Sequence, residues 1–292
     1  MPRVQKFGGN HTERKLVAVA DYLNAYVTVM KKQPFNLTYV DGFAGSGASQ
    51  PLSDEVEDQL QGVPLFDASS IVEGSPTRAL NVEPPFDRYV FIDSNPKNVE
   101  SLKSLLPQYP GRVVNIVEGD ANDRLLAFSK WMQPRRLERA VVFLDPFGLS
   151  VRWETIASLA ATEKVDLWYL VPVQGMSRQI KSDGTFLQSA QKIDEIWGST
   201  EWRGQAVKQG PLVEDLFGSV DQRLEKVARA EQFSEMFRQR LGEVFKGGVA
   251  KRYLRLGRGR SHDFSLMFAC ANPSPSAWRK ALRIADHILD QG

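Results

Sequence analysis

The sequence predicts an α/β fold with a doubly wound, mostly parallel sheet, an antiparallel terminal strand and a helical insertion between strands five and six. Three features of the chain support this fold class. Short apolar runs alternate with helix-like segments, the alternation stops after Pro172, and two more strand-like runs precede a last helix-like segment. Strands that alternate with helices indicate βαβ crossovers, which join parallel strands.

Five apolar runs supply the predicted parallel strands. They are rich in Val, Ile, Leu and Phe, close on an acidic or turn residue, and occupy residues 37–41, 88–93, 113–120, 140–145 and 165–172. Near-continuous apolar strands are typical of a sheet that is covered on both faces. Each of the first four runs is followed by a segment with the spacing of a helix.

The segment 174–246 interrupts this alternation. It is rich in Gln, Arg, Glu and Trp, and we predict that it is helical and holds no strong strand. The runs YLRLG and FSLMFACA then supply a terminal pair of strands, which is the element order of class I methyltransferases. We therefore expect one methyltransferase-like domain over residues 1–292, with 174–246 as a substrate-recognition subdomain.

The composition narrows the class of protein. With 292 residues, 42% hydrophobic and 25% charged, the chain has an ordinary globular composition. No apolar run reaches the roughly 18 residues of a membrane span, and the first residues lack a signal-peptide core, so we expect a cytoplasmic protein with no membrane contact.

The single cysteine, Cys270, excludes disulfides and Cys-based metal sites within the chain, and we predict that it is a core residue. His262 and His287 lack metal-ligand spacing, so no metal site is predicted.

The stretch LTYVDGFAGSG, from Leu37 to Gly47, places a carboxylate and three glycines directly after the first predicted strand. Ligands of parallel sheets bind beyond the carboxyl ends of the strands, where the strand order reverses. Glycines let the loop turn and let a ligand approach its backbone. No cation occurs between Thr38 and Gln50, so the loop favours a cationic or hydroxyl-bearing ligand over a phosphate. The phosphate-binding loop of nucleotide triphosphatases is absent.

Acidic residues also close the second and third strands, at Asp93 and Asp120. Such residues accept hydrogen bonds from a ribose, and Asp120 is suited to an adenine amino group. Carboxylates at three successive strand ends match S-adenosylmethionine, which carries an amine, a sulfonium, a ribose diol and an adenine edge. A lone Asp at a strand end is more often a helix N-cap, and that alternative stays open for each one. The predicted cofactor residues are Asp41, Gly42, Phe43, Gly45, Gly47, Asp93, Asp120 and Asn122.

The fourth strand closes in VFLDPFGLSV, residues 142–151. Methyltransferases that act on planar exocyclic amines carry an acidic or amide side chain, a proline and an aromatic residue at this strand end. The carboxylate orients the amine, and the aromatic ring stacks on the base. We predict Asp145, Pro146 and Phe147 as the catalytic residues, and the alternative is an Asp-Pro-x-Gly turn. The form DPFG resembles that of tRNA N2-guanine methyltransferases, whereas a cytosine C5 mechanism needs a cysteine nucleophile.

Cationic residues cluster late in the chain, although the net charge is only +2. The segment KGGVAKRYLRLGRGR, residues 246–260, contains six cations and no acid. It is interpreted either as a solvated edge strand or as a face that contacts the phosphates of nucleic acid. The predicted substrate-binding residues are Arg178, Lys181, Lys251, Arg252, Arg255 and Arg258.

Several motifs together resemble the three-Cys-motif partner protein family. In chain order they are HTxxKL (His11 to Leu16), YVDGFAGSG, EGSP (Glu73 to Pro76), VFIDSN, DANDRL, FLDPFGLSVRW and VDLWYLVP, and the match extends over roughly residues 7–175. The resemblance implies a class I methyltransferase-like fold encoded beside a radical S-adenosylmethionine type protein that carries the three cysteines. It implies a defence-related or mobile-element setting, and no particular reaction.

Two hypotheses about function follow. In the first, the chain transfers the methyl group of S-adenosylmethionine to an exocyclic amine of a base in RNA or DNA. In the second, it is a non-catalytic subunit that binds nucleic acid or the cofactor for a three-Cys-motif partner. The motif at Asp145 to Phe147 favours the first hypothesis, because a pure binding module has no need of an amine-orienting acid followed by a stacking ring. A nuclease is disfavoured, since the acids and lysine of its metal site are not evident.

Overall fold

The computed structural model describes residues 10–47, 73–214, 220–257 and 261–291. Within these ranges the chain divides into two compact units, and the single domain expected over residues 1–292 stays a prediction. The first unit runs to Leu144 and includes the last residues from His287, and the second runs from Asp145 to Asp286. The excursion predicted at residues 48–69 lies outside the described residues.

The first unit alternates helices and strands, as predicted. Its elements are α1 (Asn10–Met30), β1 (Asn36–Asp41), α2 (Ser75–Leu80), β2 (Arg88–Asp93), α3 (Pro96–Leu105), β3 (Val114–Glu118), α4 (Ala121–Met132) and β4 (Glu138–Leu144).

The four strands of the first unit are parallel and lie in the order β3-β2-β1-β4. Val40 of β1 is in register with Val90 on one side and Val142 on the other. The chain enters the sheet at β1, moves outwards to β3 and then returns to the opposite side of β1. The strand order therefore reverses between β1 and β4, which is where parallel sheets bind their ligands.

Side-chain caps fix two of the helices that follow strands in this unit. The Asn95 side chain accepts a 3.0 Å hydrogen bond from the Lys97 backbone at the start of α3, and Pro96 occupies the first helical turn. Asp120 caps α4 and accepts from the Asp123 backbone at 3.2 Å. Both caps satisfy backbone N–H groups that have no partner inside the helix.

The second unit holds the remaining strands and helices. They are α5 (Trp153–Ala161), β5 (Val165–Val171), α6 (Val173–Ser177), α7 (Gln191–Trp197), α8 (Trp202–Ala206), β6 (Val207–Glu214), β7 (Val220–Lys226), α9 (Ala230–Val244), β8 (Gly248–Val249), β9 (Leu254–Leu256), β10 (Phe264–Cys270) and α10 (Pro275–Gln291). The residues of α10 from His287 onwards belong to the first unit.

The antiparallel terminal strand predicted from the sequence is confirmed. Strand β10 runs antiparallel to β5, with Phe268 opposite Trp168 and their rings 5.1 Å apart. Every residue of β5 is buried, as expected of a strand covered on both faces. The short strands β8 and β9 also pair with β10. With the parallel strands of the first unit, this arrangement confirms the predicted α/β fold class.

The prediction that 174–246 is helical is wrong in one part. The segment contains α6, α7, α8 and α9, but it also contains the antiparallel hairpin β6–β7, whose register shifts between Gln209 and Leu212. The strands VKQGPLVE and VDQRLEK are mostly polar, so they lack the run of apolar residues that predicts the other strands. Gly210 and Pro211 within β6 also read as a turn rather than as a strand.

Two findings concern membrane-spanning helices and the single cysteine. Among the helices of the described residues, none has the length and apolarity needed to cross a membrane. Cys270 is 1% exposed, and burial, followed by the nearby Asp166 carboxylate, raises the pKa of its thiol. A buried thiol that resists ionisation is a core residue, as the sequence predicted.

Candidate functional site

The loop after β1 lies across the carboxyl ends of its two neighbouring strands. Gly42 donates its backbone N–H to Phe143 of β4, and Ala44 donates to Ile92 of β2, each at 2.9 Å. A Cβ atom on Gly42 would lie 2.7 Å from the Leu144 side chain. The predicted glycine thus allows a close approach of backbone to the core, and the loop occupies the point where the strand order reverses.

Asp41 lies beneath this loop and is fully buried. Its Oδ1 accepts a hydrogen bond from the Phe43 backbone at 3.1 Å, and its Oδ2 accepts from the Tyr39 hydroxyl at 3.3 Å. A buried carboxylate needs such partners. The structure therefore gives Asp41 the role of anchoring the loop, and its role as a ligand acceptor stays a prediction.

Asp93 is half-buried at the end of β2 and connects the loop to α3. Its Oδ2 accepts a hydrogen bond from the Gly45 backbone at 2.9 Å. Its Oδ1 accepts from the Asn95 backbone at 2.8 Å and from the Asn98 side chain at 3.1 Å. A carboxylate offers about four lone-pair sites, so these bonds leave acceptor capacity on Oδ2.

The remaining glycines of the loop have positive φ angles, 63° at Gly45 and 65° at Gly47. A Cβ atom on Gly47 would lie 2.7 Å from the Leu102 side chain, and the Gly47 carbonyl accepts a hydrogen bond from the Thr77 hydroxyl. The backbone of Gly47 also packs on Gly74. The EGSP motif is thus the surface against which the glycine loop closes.

Asp120 and Asn122 lie at the start of α4, beside the end of β2. Asp120 is exposed and caps the helix, whereas Asn122 is 5% exposed. The preceding Gly119 donates its N–H to the Asp93 carbonyl at 3.0 Å. The structure brings the predicted cofactor residues to one edge of the first unit, and the N-cap alternative holds for Asp120 alone among the three acids.

The DPFG motif begins at the residue bonded to Leu144, the last residue of β4. Asp145 is half-buried and Pro146 is buried, but the Phe147 ring is 87% exposed. Gly148 follows with φ 64°, and apart from its own atoms and its two chain neighbours no described residue comes within 4 Å of the place where its Cβ would be. The positive φ agrees with the Asp-Pro-x-Gly turn, and the Phe147 ring stands in solvent beside it.

The predicted substrate-binding cations are exposed where the structure describes them, in the second unit. Arg178 and Lys181 follow α6, and Lys251, Arg252 and Arg255 lie around β9. Arg255 forms a 2.7 Å ion pair with Glu231 in which both side chains are 51% exposed. Such a pair contributes little stability. Arg258 lies outside the described residues.

A polar cavity of about 450 Å³ lies in the second unit, and the sequence did not predict it. Its lining residues are Gln174, Ser177, Ser182, Lys226 and Arg229. The sequence does not indicate a binding role for Lys226 and Arg229, because Glu225 and Glu231 flank them and the local sequence shows no excess of positive charge. In the described part of the chain, no group of three or more His, Cys, Asp or Glu side chains is arranged to hold a metal ion.

Comparisons with known proteins show likeness of fold and not of sequence. No protein-family model and no curated protein matches the chain. Protein LPL1258 from Legionella pneumophila, assigned to the family model DUF519, is 15% identical over 98% of this chain and 95% of its own, with a TM-score of 0.50. At that identity the likeness extends to the fold alone.

Two further solved structures are more distant. Trm1 from Pyrococcus horikoshii, in complex with S-adenosyl-L-methionine, is 10% identical over 99% of this chain and 74% of its own, with a TM-score of 0.39. M. jannaschii TYW2, in complex with AdoMet, is 11% identical over 77% of this chain and 80% of its own, with a TM-score of 0.29. The three-Cys-motif partner family is not shown by these comparisons.

Proposed function

We propose that this chain is an S-adenosylmethionine-dependent methyltransferase that acts on an exocyclic amine of a nucleic-acid base. The observation that carries the proposal is Phe147, an aromatic ring 87% exposed in the motif that directly follows the strand at the switch of strand order. Burying such a ring against a partner is worth about 1.5–3 kcal/mol. A residue kept in water at this strand end is suited to stack on a base.

The residues at the strand ends of the first unit fit the cofactor by their chemistry. The loop supplies hydrogen-bond acceptors and glycine backbone without side chains, and its sequence contains no cation. This composition suits a ligand with an amine and a sulfonium. Asp93 retains acceptor capacity for a ribose hydroxyl while it holds the Gly45 backbone. Asp120 and Asn122 would hold the adenine end, and Phe43, Gly42 and Gly47 would line the methionine part over Asp41.

The chain's own contribution to catalysis is placement. When bound, S-adenosylmethionine supplies an electrophilic methyl group. Asp145 accepts hydrogen bonds from the amine and directs its lone pair, Pro146 fixes the turn, and Phe147 stacks on the ring that carries the amine. Orientation of this kind is worth up to about 7–11 kcal/mol of the barrier, so no covalent intermediate is needed.

The exposed cations of the second unit suit a nucleic-acid substrate. Arg178, Lys181, Lys251, Arg252 and Arg255 would contact its phosphates, and Arg258 has the same predicted role. Binding that depends on phosphate contacts weakens steeply with salt. A pairing with a three-Cys-motif radical protein remains part of the proposal, based on the motifs that resemble the partner family.

The test is calorimetric titration with S-adenosylmethionine and S-adenosylhomocysteine, followed by methyl transfer to RNA and DNA. We expect one-to-one binding of both ligands. Asp145→Ala should abolish transfer, and Phe147→Ala should lower it by about tenfold or more, given the 1–3 kcal/mol of base stacking. In both variants the cofactor affinity should stay within a few-fold.

The control is Leu137→Ala, which removes another exposed apolar side chain, 53% exposed, from the first unit. It should change neither binding nor transfer. A folded protein that binds neither ligand would refute the proposal and favour the non-catalytic partner subunit. Equal loss of cofactor affinity in Asp145→Ala and Asp93→Ala would refute the separation of roles.

A further inference from the structure

The polar cavity of the second unit has the composition of an anion site. Among the described residues, those that line it supply two cations, two hydroxyls and one amide. We propose that this cavity binds a phosphate group. The inference goes beyond the proposed methyl transfer, because neither cofactor binding nor the DPFG motif requires it.

Lys226 is the fixed cation of the cavity. Its ammonium group donates to the carbonyl oxygen of Ser177 and, at 3.1 Å, to that of Ile180. An ammonium group has three N–H donors, and among the described residues only these two carbonyls accept from it, so a third donor remains for a ligand. The two carbonyl partners hold the side chain in place but do not neutralise its charge. Burial, and then the charge of Arg229, lowers the pKa of Lys226, and an anion beside both cations would offset the repulsion between them.

Arg229 is the exposed cation of the pair. Its backbone N–H donates to the Gln232 side chain at 3.0 Å, which fixes the residue at the start of α9. Its guanidinium offers the planar fork of donors that matches two oxygens of a phosphate. Across the residues that the structure describes, neither Lys226 nor Arg229 forms an ion pair with a carboxylate.

The neutral residues complete the set of donors. Ser177 is 5% exposed, and in the described part of the chain its hydroxyl makes a single long bond, 3.4 Å to the Ala228 carbonyl. Ser182 is exposed and Gln174 is half-buried, so both can turn towards a ligand. A volume of about 450 Å³ exceeds a single phosphate and falls in the range of about 300–1,000 Å³ typical of ligand pockets. The cavity therefore has room for the group to which the phosphate is attached.

The phosphate has two possible sources, a nucleic-acid chain or a small phosphorylated molecule, and three probes distinguish them. They are inorganic phosphate and one short oligonucleotide prepared with either a 5′-phosphate or a 5′-hydroxyl. Each is titrated into the intact protein and into the variants Arg229→Gln and Lys226→Gln. The control is Lys192→Gln, which removes the same charge from an exposed position on α7 outside the cavity.

We expect inorganic phosphate to bind the intact protein and the control equally, and to bind Arg229→Gln about tenfold more weakly or worse, since hydrogen bonds to charged groups are lost. A preference for the 5′-phosphorylated oligonucleotide would identify a terminal phosphate as the ligand. Equal binding of both oligonucleotides, weakened in Arg229→Gln, would identify a backbone phosphate. Binding of inorganic phosphate alone would identify a small phosphorylated molecule.

The proposal is overturned if all three probes bind Arg229→Gln as well as they bind the Lys192→Gln control. Arg229 is exposed, so its substitution should leave the fold intact even if Lys226→Gln does not fold. The titration with S-adenosylmethionine is repeated on Arg229→Gln and should be unchanged. A failure of phosphate binding is thereby separated from a failure of cofactor binding.

Discussion

The Asp93 carboxylate accepts the Gly45 backbone N–H at 2.9 Å across a separation of 48 residues. This bond fixes the loop that follows β1 to the end of β2. The other oxygen of Asp93 accepts from Asn95 and Asn98 at the start of α3. One side chain thus fixes the loop, the strand end and the helix start, and it does so at the edge where we propose that the cofactor binds.

Asp93→Asn should weaken the binding of S-adenosylmethionine by about tenfold or more, because an amide cannot accept at both positions and loses the charge-assisted bonds. The measurement is calorimetric titration of protein shown to be folded by circular dichroism. The weaker binding has two expected causes. The glycine loop is displaced, and the acceptor for a ribose hydroxyl is lost.

Asp87→Asn is the matched control for this substitution. Asp87 also accepts a backbone N–H of β1, that of Leu37 at 2.8 Å, and it pairs with Lys31 at 2.6 Å. It lies at the amino end of β1, away from the proposed ligand edge. Asp87→Asn should lower the stability and leave the cofactor dissociation constant within about twofold, as expected where only structure is lost. Similar weakening in both variants would contradict a ligand site at the carboxyl ends.

Gly47→Ala should lower the free energy of unfolding by about 2 kcal/mol or more, because φ is positive and the new Cβ meets Leu102. Gly111 has φ 86° with open space around it, and Gly204 has open space without a positive φ. Gly111→Ala should therefore cost about 1 kcal/mol for the backbone alone, and Gly204→Ala, in α8, should be neutral or slightly stabilising. Denaturant unfolding measures all three, and a penalty for Gly47→Ala no larger than that for Gly111→Ala would show that Leu102 moves aside easily.

The strands and the glycine loop of the first unit were predictable because their signals are local. A run such as LTYVDGFAGSG combines apolar residues, an acid and glycines within eleven positions. The roles of its acids were less predictable. Asp41 and Asp93 carry similar sequence signals, yet one is fully buried under the loop and the other is half-buried with acceptor capacity left. That difference depends on Tyr39 and on contacts formed far along the chain.

The second unit was harder to predict, for physical reasons. The hairpin β6–β7 is mostly polar, so hydrophobic periodicity does not reveal it. The cavity cations Lys226 and Arg229 approach Ser177 and Ser182 only through the fold, since 44 to 52 residues separate them in the chain. The sequence did identify Arg178 and Lys181, which flank the same segment.

Asp194→Ala should destabilise the protein by about 2 kcal/mol at neutral pH, since it breaks charge-assisted bonds and leaves a buried indole N–H without its partner. Asp194 accepts from Trp202 at 2.8 Å and from Arg203 at 2.7 Å and 3.1 Å. Trp202 is fully buried. Glu195→Ala, at an exposed neighbouring position on α7, is the control and should change the stability by less than about 0.5 kcal/mol.

The penalty of Asp194→Ala should also depend on pH. Burial acts to raise the pKa of Asp194, but hydrogen bonds from Arg203 and Trp202 outweigh it and hold the pKa below its ordinary 3.8. A lowered pKa stabilises the folded state above the unfolded value, and this stabilisation is lost as the pH falls below it. Unfolding at pH 7 and pH 3 should show a smaller penalty at pH 3. An equal penalty at both would mean that the charge on Asp194 contributes nothing.

Cys270 should make the protein less stable in alkaline solution. Burial raises the pKa of its thiol above the ordinary 9.0, so the folded state keeps a proton that the unfolded chain releases. The stabilisation is complete below about pH 9 and falls as the pH rises, by up to about 1.4 kcal/mol per pH unit. In Cys270→Ala the free energy of unfolding should therefore decline less steeply between pH 9 and pH 10, although the cavity left behind lowers it at every pH.

Tyr169→Phe is the matched control, because burial also raises the pKa of Tyr169 but from 10.0. It should flatten the slope between pH 9 and pH 10 much less than Cys270→Ala does, and act mainly above pH 10. If Cys270→Ala and the unaltered protein lose stability in parallel over this interval, the thiol ionises in the folded state as readily as in the unfolded chain.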